Sequence, residues 1–145
     1  MTEISQKILP LEGEEAAKLE ERRAWVYGYP KRSSYDFSTT KQKLDLVGAI
    51  VDSGLIKAQD KWPLRSLGVV FGDALAQQLD LVWVLVDDEH GRDPALMVPK
   101  TTILVFPLTA ISKRVEDGES IDVHELFAGF CELIEKRRPM GTIRN

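Results

Sequence analysis

The densest gathering of side chains able to do chemistry is Asp87, Asp88, Glu89, His90, Arg92 and Asp93. Carboxylates beside an imidazole are the ingredients of oxygen-rich metal sites and of acid–base pairs. An EF-hand loop with Gly91 at its sixth position would need an acid at its first, where Val86 stands, so that calcium motif is absent. In an extended strand Asp87 and Glu89 point to one side while Asp88 and His90 point to the other, which divides the cluster. The plain reading is a solvated hairpin end in which Arg92 neutralises neighbouring acids. Metal binding and acid–base catalysis are sharper alternatives, and the sequence assigns neither a metal ligand nor a catalytic residue.

Nucleophile chemistry finds less support. Cys131 and His124 lie seven residues apart in one helical stretch, about 10 Å along its axis at 1.5 Å per residue, too far for a thiolate–imidazole hydrogen bond. Cys131 falls on an apolar stripe, as a small buried hydrophobe does. Ser38-Thr39-Thr40-Lys41 matches the Ser-x-x-Lys spacing of acyl-transfer enzymes without their companion motifs, and helix capping accounts for its hydroxyls. The chain has no glycine-rich phosphate loop, zinc-protease histidine pair or nucleophile elbow, so no cofactor is expected. Basic residues group at Lys31-Arg32, Lys113-Arg114 and Lys136-Arg137-Arg138, with Arg144 beyond. If the groups converge they can bind phosphates, with Trp25, Tyr27, Tyr29 or Tyr35 stacking on bases. Otherwise they are solvated helix ends, and cations after the last helix suit its macrodipole.

These residues belong to a chain of 145 with 43% hydrophobic and 29% charged residues, the size and make-up of one globular domain. The net charge of −4 has the wrong sign for a dedicated nucleic-acid binder. The longest unbroken apolar run, Leu81 to Val86, is far short of the about 20 residues that cross a membrane. No secretion signal is visible, and the single cysteine precludes an internal disulfide; both point to a cytoplasmic setting.

The elements that must position the candidates read as α+β: three helices, a three-stranded antiparallel meander, then two helices packed on the sheet. Residues 1–13 form a loose or docked tail. Helix formers dominate from Glu14 to about Tyr27, before Gly28 and Pro30 end the run. Ser38, Thr39 or Thr40 caps a second helix with Leu44, Val47, Ile50 and Val51 on its apolar face. Leu64, Leu67, Val70, Phe71, Ala74, Leu75 and Leu79 make the third and strongest stripe. Gly68, Gly72 and Ala76 run along another edge of that helix and predict a close backbone approach. Leu81 to Val86, Ala95 to Val98 and Thr101 to Phe106 are the expected strands, the middle one ending at Pro94 and Pro99. A short helix begins near Pro107 and stops at Asp117-Gly118; the last spans Val123 to Lys136, capped by Ser120 or Asp122.

Between Trp62 and Asp122 run Leu67-Gly68, Phe71-Gly72, Trp83-Val84, Asp88-Glu89-x-Gly91-Arg92-Asp93-Pro94-Ala95-Leu96 and Phe106-Pro107-Leu108-Thr109-x-Ile111-Ser112-Lys113-Arg114-Val115-Glu116-x-Gly118-Glu119. This string resembles a family of small uncharacterised bacterial proteins, a domain of unknown function. The resemblance implies a bacterial cytoplasmic protein and carries over no catalytic residue.

A meander places the first turn and the Pro107 helix at one end of the sheet, so Asp88, Glu89 and Asp93 are expected to meet Lys113 or Arg114 in an ion-pair network. The leading functional expectation is a non-enzymatic module that binds a protein partner, in an immunity-like or accessory role. The alternative is a small enzyme or ligand-binding protein using Asp88, Glu89, His90, Arg92 and Asp93, which requires a concave pocket there. The third is a nucleic-acid-associated factor. No membrane partner is expected, and the oligomeric state is not legible from the sequence.

Overall fold

The computed structural model describes residues 6–29 and 36–139. Its elements are β1 (Lys7–Pro10), α1 (Gly13–Gly28), α2 (Thr40–Asp52), α3 (Lys61–Leu79), β2 (Val82–Asp88), β3 (Gly91–Met97), β4 (Leu104–Val105), a 3-10 turn (Pro107–Thr109), α4 (Ala110–Glu116) and α5 (Val123–Arg137). The capping expectations translate into geometry. Thr39 accepts from the Gln42 amide at 3.0 Å while the Gln42 side chain accepts from the Thr39 amide at 2.9 Å, so α2 opens with a reciprocal capping box. Asp122 caps α5 by accepting from the Glu125 amide at 3.1 Å. The Ser-x-x-Lys string is thereby a helix start.

The sheet has four antiparallel strands in the order β1-β2-β3-β4, one more than the meander expected from sequence. The extra strand comes from the supposed tail: Lys7, Ile8, Leu9 and Pro10 pair with Asp87, Val86, Leu85 and Val84. The middle strand also differs, because β3 begins at Gly91 and runs through Pro94, which lies opposite Leu85. Asp88 and Gly91 flank a two-residue turn and form a hydrogen-bonded pair, so Pro94 and Leu85 fall at a non-hydrogen-bonded one. The missing N–H of Pro94 therefore faces the far side, where β4 pairs only with Leu96 and Met97. The third strand shrinks to Leu104–Val105.

Helix α3 is the hub, with Leu67, Val69, Val70, Phe71, Ala74 and Leu75 wholly buried. Its small-residue edge is where the backbone of the 3-10 turn arrives. A Cβ on Gly68 would overlap the Leu108 carbonyl oxygen and lie 2.7 Å from that residue's Cα and carbonyl carbon. One on Gly72 would lie 2.8 Å from Pro107 Cγ and from two ring carbons of Trp83. The close-approach expectation is met by the protein's own chain. The family-like string Leu67-Gly68, Phe71-Gly72, Trp83 and Phe106-Pro107-Leu108 is thus one interlock between helix, sheet and turn. The last two helices do not lie on the sheet as expected. They pack chiefly on α3 and α2, and α5 reaches the sheet at β4. Phe71 anchors α5, meeting Phe127 and Phe130 edge to face at centroid distances of 5.9 and 5.5 Å.

Candidate functional site

The hairpin end holding the first-choice residues is a solvated turn. Asp88 accepts from the His90 amide at 2.8 Å and so closes the turn on itself. Glu89 and His90 touch at 3.4 Å with both side chains mostly in water. Arg92 reaches across the strand pair to Asp87 at 3.3 Å, and Asp93 is exposed. Lys113 and Arg114 do not join them: among the described residues no ion pair links the turn to α4. The physical reason is the length of β4, which leaves the sheet level with Ala95 instead of continuing to the turn. Arg114 instead donates to the Ala110 carbonyl at 3.0 Å and borders a cleft on α5. No group of three His, Cys, Asp or Glu side chains among the described residues is placed to hold a metal.

The basic groups also stay apart. Arg114 stands by the start of α5 with Asp122 and Glu125, whereas Lys136 and Arg137 lie in its last turn, about 20 Å away along a helix of 15 residues. Arg138, 6% exposed, is spent inside the fold, donating to the Leu79 carbonyl at 2.6 Å. Lys31, Arg32, Tyr35 and Arg144 lie outside the described residues. His124 bonds Asp45 of α2 at 2.8 Å, not Cys131. Lys41 and His124 together hold the Asp45 carboxyl below its usual range.

One polar centre was missed. Asp73, on the face of α3 turned away from its Leu67–Phe71–Leu75 stripe, receives Arg23 of α1 in a two-point pair at 2.7 and 3.0 Å and the Trp83 indole N–H at 2.9 Å. It pins α1, α3 and β2 together. Close by, burial pushes the Tyr27 phenol up to about 12, with the charge of Asp73 adding to it. The legible signal was the position itself, a charge between Gly72 and Ala74 on a helix face otherwise without one.

Among the described residues, two exposed apolar surfaces adjoin a cavity. The first gathers at the end of α1 and the start of α3. Trp25 packs edge to face against Tyr29 at 5.4 Å and Trp62 at 5.9 Å, and the Arg22 guanidinium lies over the Trp62 ring at 5.0 Å. Trp62 is 39% exposed and Leu55 67%. A hollow of about 590 Å³ is lined by Ala24, Trp25, Gly28, Tyr29 and Leu55. The second surface is a cleft of about 490 Å³ along α5, floored by Leu126, Phe130 and Leu133. Neither cavity is lined by a residue of the Asp88–Asp93 turn.

With this geometry in view, the comparisons define the class. The sequence matches the family described as Domain of unknown function (DUF3806) over residues 43–127, and the chain belongs to that family. No curated protein matches it. Among solved structures, a crystal structure from Bacteroides thetaiotaomicron VPI-5482 at 1.50 Å resolution is similar with a TM-score of 0.76 and 18% identity. The match covers 90% of this chain and 49% of that one, so this chain spans about half its length. At that identity the likeness is one of fold. No helix among the described residues is long and apolar enough to cross a membrane.

Proposed function

We propose that the chain is a non-enzymatic bacterial cytoplasmic protein-interaction module, in an immunity-like or accessory role, and that its partner docks on the Trp25–Tyr29–Trp62 surface. The observation that carries this reading is an exposed Trp62 and Leu55 beside Trp25, Tyr29 and Arg22. Tryptophan, tyrosine and arginine are the residues over-represented among interface anchors, because they bury large area while keeping a polar handle. The partner presents an apolar side chain to the hollow against Trp25 and Tyr29. No residue of the solvated turn lines this hollow.

The test is capture from the source cell at physiological salt with the tagged chain. Leu55→Asp and Trp62→Ala should each abolish recovery of the partner, whereas Asp88→Asn with Glu89→Gln should leave it unchanged. Failure to recover any partner, or equal recovery by the patch variants, overturns the reading. Loss of recovery in the turn variant alone moves the site to the hairpin end.

A further inference from the structure

The aromatic surface carries more positive charge than its own contacts use. Arg22, Trp25 and Tyr29 follow one another along one face of α1 at spacings of three and four. Trp62, which meets both Trp25 and Arg22, is followed three residues on by Arg65 in the first turns of α3. Arg22 is anchored through one nitrogen, its Nη1 donating to the Trp62 carbonyl at 2.9 Å and to the Ser66 hydroxyl at 3.3 Å. Ser66 is wholly buried and donates to the same carbonyl at 2.8 Å, so the core fixes that anchor.

A guanidinium has five N–H groups, and the Nε and Nη2 of Arg22 find no acceptor among the described residues. Arg65 is exposed and makes neither a hydrogen bond nor an ion pair with a described residue. The two like charges act on each other. Burial holds the Arg22 guanidinium below its ordinary value and the charge of Arg65 lowers it further, against a smaller pull from Glu21. Arg65 also acts on Glu116, but that carboxylate is held by Lys61. Two guanidinium groups in mutual repulsion, with unused donors beside an exposed tryptophan, are the complement of an anion.

We propose that the partner seated on the aromatic surface presents an extended acidic segment, with an apolar side chain in the hollow against Trp25 and, two residues along, a carboxylate held between Arg22 and Arg65. This rests on the docking surface proposed above and adds the chemistry of what docks there. Arg22 precedes Trp25 by three positions, about 4.5 Å along the helix axis, while side chains two apart on an extended chain stand about 7 Å apart. The length of the arginine side chain covers the difference. The carboxylate accepts two parallel hydrogen bonds from Nε and Nη2 of Arg22 and a further one from Arg65. A nucleic-acid strand fits less well, because Glu21 and Glu116 adjoin the two arginines and a run of phosphates passing them would meet both acids.

Fluorescence anisotropy of the full chain tests it, with an end-blocked, fluorescein-labelled glycine–serine peptide carrying leucine and, two residues on, aspartate. Binding should weaken at least ~10-fold when asparagine replaces the aspartate, and should fall as NaCl is raised. Arg65→Glu should remove the preference for aspartate. It alters an exposed side chain without a described partner, so it keeps the proposal testable should Arg22→Gln, expected to act likewise, disturb the fold. Leu55→Asp should weaken the aspartate and asparagine peptides alike. No binding of the aspartate peptide, equal binding of the asparagine peptide, or a preference untouched by Arg65→Glu overturns the inference. Tighter binding of a labelled oligothymidine overturns it too and makes the ligand a nucleic acid. Peptides that depend on Leu55 but not on aspartate leave the docking surface standing without this chemistry, whereas peptides indifferent to both Leu55→Asp and Trp62→Ala remove the surface as well.

Discussion

Replacing Gly68 with alanine sets two effects of opposite sign against each other. Within a helix the change is worth about 1 kcal/mol in favour of alanine, because glycine loses more backbone freedom on folding. Against it stands the Leu108 backbone, whose Cα and carbonyl carbon would lie 2.7 Å from the new methyl. Carbon atoms rest at about 3.5–4.0 Å, so the 3-10 turn must move away from α3 by about 1 Å. Neither side of the clash is a rotatable side chain. Overpacking of this kind costs about 1–3 kcal/mol and occasionally more, and with rigid backbone on both sides the upper end applies. The net expectation is a loss of about 2 kcal/mol, or about 4–8 °C in Tm for a domain of this size. Urea unfolding followed by tryptophan fluorescence reads it, with Gly48→Ala as the reference. There a Cβ meets Val123 at an ordinary 3.8 Å, so only the propensity gain remains and stability should rise. Gly72→Ala should fall between them, because a proline ring and an indole edge can shift. A Gly68→Ala protein as stable as the parent would refute the interlock.

Asp73→Ala removes the acceptor of both Arg23 and the Trp83 indole, and should cost about 2–3 kcal/mol with a red shift of Trp83 emission; an unchanged urea midpoint would show that the network is decorative. Spectrophotometric titration should find one of the three tyrosines ionising at about 12 rather than near 10, a phase that Tyr27→Phe removes. Because the folded value is raised, Tyr27 contributes stability that is complete below about pH 10 and is lost as pH rises through about 12. Gly91→Ala should destabilise the hairpin by about 1 kcal/mol, since φ there is +112° with open space around it; unchanged thermal unfolding would contradict that.

What could be read from the chain alone was what depends on near neighbours. The stripe of α3, the cap of α2 at Thr39 and the cap of α5 at Asp122 are local signals, and each matches the structure. The sheet was less legible because its constraints are distant. Four residues ending in Pro10 show no period, yet they complete a strand once Val84 to Asp87 are beside them. Pro94 looked like a strand end, but whether a proline ends a strand depends on which side of the ladder its nitrogen faces, and that is set by the turn and by where β4 stops. The polar centre at Asp73 was hidden for the same reason. Composition picked out the Asp88–Asp93 turn, while the burial that makes Asp73 matter comes from α1 and β2 together.

The pairing of β1 also sets a timetable. The register puts Lys7 beside Asp87, 80 positions further along the chain. At synthesis rates of about 5–20 residues per second, β1 waits roughly 4–16 s for its partner strand to be made. During that interval its apolar Ile8 and Leu9 are available to any other strand edge, and Lys7 and Pro10 at its two ends are the residue types that discourage such pairing. The sheet is therefore completed by a strand made before the hairpin that receives it, and only once that hairpin exists.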